Sequence, residues 1–190
     1  MMSAQLIVPH RVRWTRADFR MLEEAGLLPP RCELIEGDIV NNMGQKLPHR
    51  QGISNVTAWA YRIFNESFVQ SQAQIDVRPE DNPTSEPEPD VCVLNLPLSE
   101  LTDNPTPAQI ALLIEISDAT LRFDRIIKAN LYARAQISEY WVLDLVNWKL
   151  IVHRDPVNGT YSQISELSET DFATPLASPG ESVAVSTLLP

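Results

Sequence analysis

Residues Ile110–Ile116 read IALLIEI, an apolar run interrupted only by Glu115. A strand that is apolar on both faces is buried on both faces, so it belongs in the middle of a sheet covered on each side. The chain downstream keeps to that plan. Phe123–Ala135 (FDRIIKANLYARA) predicts a helix, and Glu139–Leu145 (EYWVLDL) predicts a second apolar strand. Lys149–His153 (KLIVH) predicts a further strand, paired with the previous one around Val146-Asn147-Trp148. Upstream, Asp90–Leu94 (DVCVL) and Ala73–Arg78 (AQIDVR) predict strands, separated by a surface loop rich in proline and acids. Pro48 and His49 open a helix to about Phe68, with Ile53, Val56, Ala60, Ile63 and Phe64 on its buried face. Arg31–Met43 reads as a hairpin about Gly37-Asp38, and Thr15–Ala25 as a short helix capped by Thr15 and Asp18. Strands preceding a helix between two apolar strands predict an α/β fold: a mixed central sheet flanked by helices.

The chain has 190 residues, of which 44% are hydrophobic. That suits a single domain over 1–190, with 1–13 as a flexible arm and 155–190 as a peripheral C-terminal extension. In that tail the signals weaken to a strand near Tyr161–Ile164 and another near Val183–Ser186. No apolar run is long enough to span a bilayer, and no signal peptide is evident, so the expectation is a cytoplasmic protein without membrane contact. Cys32 and Cys92 stand among apolar residues and read as reduced core thiols. His10, His49 and His153 are scattered, with no zinc-binding spacing. The net charge of −10 repels phosphates, so any nucleic-acid site must be a local basic patch on an acidic body.

Glu115 carries the first chemical signal. An ionised carboxylate inside an apolar strand must be protonated, paired with a cation or bound to a metal. Asp90 stands at the mouth of another apolar strand, 115 − 90 = 25 positions earlier. Two carboxylates brought together on one sheet stay ionised most readily by sharing a hard cation such as Mg²⁺. On the following helix, Asp124, Lys128 and Tyr132 fall at i, i+4 and i+8 on one face. That face can turn Lys128 toward Glu115, where it would orient an attacking water or stabilise charge growing on a phosphate.

The segments RCELIEGDIV, PDVCVL, IEISDAT and FDRIIKANLYARAQISEYWVLD, with the hairpin after them, resemble in order and spacing the Uma family of restriction endonucleases. That family lies within the PD-(D/E)XK nuclease superfamily. The resemblance runs from about Thr15 to His153. It implies a restriction-endonuclease-like αβββαβ core, here with an extra N-terminal hairpin, and a DNA endonuclease dependent on Mg²⁺ or Mn²⁺. It places the metal on Asp90 and Glu115. The superfamily's usual lysine two residues after the acid is Ser117 in this chain. The family's alternative is a lysine on the next helix, which is Lys128, completing a catalytic set of Asp90, Glu115 and Lys128. Glu33 and His49 match further family positions and join Tyr132 as auxiliary residues. Ser117-Asp118-Ala119-Thr120 matches a family turn whose hydroxyl or acid would cap the helix carrying Lys128. Tyr140 and Trp141 match an aromatic pair read as packing. Arg122 and Arg125 are expected to guide the DNA backbone. Cutting both strands of a duplex needs two sites, which a homodimer would supply.

Two rival readings use the same residues. One is a catalytically inactive nuclease fold kept as a binding or assembly module, favoured by the acidic charge and the absent strand lysine. The other is a two-carboxylate glycosidase, which needs no metal and usually an aromatic cleft. A content of 7% aromatic residues and a lysine beside the acids speak against it.

Overall fold

The computed structural model describes residues 12–41 and 46–190. Most of the expected N-terminal arm, and the end of the expected hairpin at Met43, lie outside the described residues.

Helix α1 (Arg16–Glu24) starts at Thr15, whose hydroxyl accepts from Asp18 N while Asp18 Oδ2 accepts from Thr15 N. This is the reciprocal cap read from the sequence. Strands β1 (Cys32–Ile35) and β2 (Asp38–Asn41) form the hairpin. Its turn is Glu36-Gly37, one position earlier than expected, because both residues adopt left-handed backbone (φ 51° and 82°). A Cβ at Gly37 would also meet Arg13 Cβ at 2.6 Å, so glycine is required there.

Helix α2 (Leu47–Phe64) stops short of the expected Phe68, at Asn65, whose φ of 69° cannot continue it. The edge strand β3 (Val69–Ser71) follows. The expected strand at Ala73–Arg78 is absent. Ile75 and Val77 are buried, but their segment hydrogen-bonds loop carbonyls of Pro87 and Pro105 instead of a strand. Burial alternation alone cannot supply a ladder partner.

The main sheet runs from β3 through β4 (Val91–Leu94), β5 (Ile110–Ser117), β6 (Glu139–Asp144) and β7 (Lys149–Val157) to β8 (Thr160–Ser168), in that spatial order. Between β5 and β6 lies helix α3, which has two registers: Phe123–Lys128 is π-helical and Ala129–Arg134 α-helical. Its crossover makes β5 and β6 the parallel pair of this sheet. Residues 155–190, expected at the periphery, contain β8 and two short paired strands, β9 (Phe172–Ala173) and β10 (Val183–Ala184). The expected terminal strand turns after Ala184 into helix α4 (Val185–Leu188), which buries Val185 and Leu188 in the core.

The apolar run of β5 splits between two cores. Leu112, Ile114 and Ile116 face α2, where Trp59 stacks on Trp141 with ring centroids 5.4 Å apart. Leu113 faces α3, with Tyr132, Tyr140, Val142 and Ile151. Gly52 lets α2 approach closely: a Cβ there would lie 3.0 Å from Ile116 Cγ2. Cys32 and Cys92 are buried free thiols. Among the described residues no helix is long and apolar enough to cross a membrane.

Candidate active site

Glu115 shares the α3-facing side of β5 with Leu113 and Ser117. Antiparallel pairing of Val91 with Ile114 brings Asp90, one residue earlier, beside Glu115. Asp90 Oδ2 accepts from Ile116 N at 2.8 Å, which fixes its carboxylate against β5. Among the described residues Asp90 Oδ1 has longer neighbours only: Gln72 Nε2 at 3.4 Å and His49 Nε2 at 3.5 Å. The histidine nitrogen is buried there without hydrogen-bond alignment to any described group.

Lys128 is 2% exposed, and its ammonium lies 2.9 Å from both Glu115 Oε1 and Glu33 Oε1. Tyr132, one turn further along α3, donates to the same Glu115 Oε1 at 3.1 Å. Glu33 comes from β1, and its Oε2 accepts from Glu88 N at 3.2 Å. The hairpin, the Pro-rich loop, β5 and α3 therefore meet at one lysine.

Burial drives the electrostatics. It pushes the Glu115 carboxyl well above the usual carboxylate range; Lys128 opposes this, while Asp90, Asp124 and Glu33 add to it. Burial by itself would lower the pKa of Lys128. Glu115, Glu33 and Asp124 more than reverse that and hold it well above an ordinary lysine. Burial also raises Glu88, reinforced by Glu33. Among the described residues the cluster holds more acid than Lys128 alone neutralises.

The donor set suits a hard divalent cation. Glu115 Oε2 accepts no hydrogen bond among the described residues, and Asp90 Oδ1 has no short one. No three His, Cys, Asp or Glu side chains among the described residues converge enough to hold a metal by themselves. Two carboxylate oxygens completed by a backbone carbonyl and waters fit Mg²⁺, which keeps part of its hydration shell.

The structure thus gathers Asp90, Glu115, Lys128, Glu33, His49 and Tyr132 in one place. It does not bring Arg125 there: its guanidinium pairs with Glu166 of β8 at 2.8 Å. Arg122 is exposed at the start of α3. Gln72 and Glu88 are additions that sequence reasoning missed. Glu88 stands two residues before Asp90, a spacing that could have flagged it.

A protein-family model matches residues 18–186, most of the chain. The chain belongs to the Uma2 family. That family is described as "Putative restriction endonuclease". Among solved structures, this Uma2 chain is similar to one described as "a putative nuclease belonging to DUF820" from Anabaena variabilis ATCC 29413. The two share 16% identity over 88% of this chain and 96% of the other, with a TM-score of 0.62. At that identity the match speaks for the fold, a six-stranded mixed sheet flanked by helices. No curated protein is similar enough to count as a relative.

Proposed function

We propose that this Uma2 protein is a DNA endonuclease that hydrolyses phosphodiester bonds with Mg²⁺ or Mn²⁺. The observation that carries the reading is the meeting of Asp90, Glu115 and Lys128 in one buried polar pocket. Asp90 and Glu115, with the Ile116 carbonyl, would hold the cation. Bound there, it would lower the pKa of a coordinated water and neutralise charge on the scissile phosphate. The chain's own residues do the rest. Ile116 N holds the Asp90 carboxylate in place. Tyr132 and Lys128 fix the Glu115 carboxylate from one side and leave its other oxygen for a ligand. The Lys128 ammonium supplies the positive charge that a pentavalent phosphate transition state requires. His49 Nε2 stands beside Asp90 with its hydrogen-bonding capacity unused by described groups, ready for a water or a phosphate oxygen. Arg122 is the more exposed candidate for backbone guidance, and two copies acting together would cut both strands.

The test is cleavage of supercoiled plasmid and single-stranded DNA by purified protein with Mg²⁺, Mn²⁺ or EDTA, beside Asp90→Ala. Metal-dependent nicking that Asp90→Ala abolishes is the expected result. A folded protein that nicks in no condition, and binds Mn²⁺ no better than Asp90→Ala, would make the chain an inactive module of the same fold.

A further inference from the structure

Ser117 occupies the strand position two residues after Glu115, on the same face. It is fully buried, and its hydroxyl donates to Asp124 Oδ2 at 2.8 Å. Thr120 Oγ1 donates to the same oxygen at 2.6 Å. The hydroxyls of the expected capping turn therefore grip an acid one turn inside the helix.

Asp124 lies in the π-helical stretch, four residues before Lys128. The wide turn sends Ala129 N back to Asp124 O across five residues. The same carbonyl accepts from Tyr140 OH at 3.2 Å, a side chain of β6. Asp124 is thus clamped at both ends, its carboxylate to the end of β5 and its carbonyl to β6. Single-turn π segments inside helices mark places where the helix is held out of its ordinary register, frequently at functional sites.

We infer that Asp124 is a positioning residue for the proposed nuclease: by tying α3 to Ser117 and Thr120 it sets where Lys128 meets Glu115 and Glu33. Ser117 then replaces a strand lysine indirectly, by anchoring the helix that carries the ammonium. The inference rests on the nuclease reading for its effect on rate but not for its geometry.

The experiment therefore has two readouts on Asp124→Ala, Asp124→Asn and Ser117→Ala. The first is the ¹H–¹⁵N signal of the Lys128 ammonium, expected to exchange slowly in the wild type because two buried ion pairs hold it, and readable without any cleavage. The second is the kcat and KM for plasmid nicking. Asp124→Ala is expected to lose or shift the ammonium signal and to lower kcat about 10–100-fold at unchanged KM, the usual cost of losing a group that orients an active-site residue. Asp124→Asn, which keeps an acceptor for both hydroxyls, is expected to restore most of both. Ser117→Ala should fall between and serves if Asp124→Ala does not fold. A Lys128 signal unchanged in a folded Asp124→Ala or Ser117→Ala protein would overturn the inference. So would an Asp124→Asn protein no better than Asp124→Ala. If no variant cleaves and the wild type does not either, a displaced ammonium signal still upholds the positioning role while the nuclease reading fails.

Discussion

Lys128→Met is expected to lower stability at pH 7 by about 3–5 kcal/mol and to reduce metal-dependent nicking at least about 100-fold. Methionine keeps the volume, so no cavity contributes. The variant loses an ammonium that, among the described residues, Glu115 and Glu33 share, and both carboxyls are nearly fully buried. Removing one partner of a buried pair costs more than the pair itself is worth, because the remaining charge stays desolvated. The loss should shrink in acid. Burial already raises Glu115, and without Lys128 to oppose it the folded-state pKa rises further. A carboxyl whose folded pKa lies above its unfolded value binds more protons when folded, so it stabilises at low pH and loses that stabilisation as pH rises. Urea denaturation at pH 7 and pH 5 checks this. A penalty equal at both pH values would mean that the Glu115 carboxyl does not depend on Lys128. Glu115→Gln added to Lys128→Met should recover part of the loss at pH 7, since a neutral amide at 115 has no buried charge to compensate.

The second large effect lies away from the site, at His153. It is buried on β7, stacked on Tyr140 at 5.2 Å, and burial lowers its pKa to about 4. In the unfolded chain it titrates near its ordinary 6.5. Between those values the unfolded state binds the extra proton, so the native state loses stability as pH falls from about 6.5 to about 4, by roughly 3 kcal/mol in all. His153→Phe keeps the ring stack and removes the proton site. It should match the wild type near pH 7 and exceed it by about 2–3 kcal/mol at pH 4.5. Parallel stability curves for the two proteins would exclude His153 as a source of acid lability.

Much of this architecture is legible in the sequence where burial has a single cause. IALLIEI is apolar because β5 is covered on both faces, and EYWVLD is its parallel neighbour for the same reason. Asp90 and Glu115 stand out because charge is rare in such strands. The misreadings share a different cause. Ala73–Arg78 has a strand's alternation, yet Gln72 takes a left-handed turn (φ 52°) just before it and the pairing passes to loops. Lys128 faces Glu115 as its i, i+4 spacing suggests, but the π register beneath it leaves no mark in residue spacing. Glu33 and His49 are placed by resemblance alone. They come from the hairpin and from α2, and nothing local in sequence says that either will reach β5. Arg125 attracts a functional reading through its charge, yet its partner is Glu166, on a strand that the weak signals of the tail outline only in part.

The clamp between Ser117 and Asp124 also limits what position 117 can hold. Here the strand position is filled by a small hydroxyl, and the space beyond it by an acid and a lysine that both come from α3. Ser117→Lys would place two ammonium groups in one dry pocket and cut the helix loose at the same stroke. Residues 117, 124 and 128 therefore constrain one another: a larger or charged side chain at 117 is accommodated only if the acid and the lysine of α3 change with it.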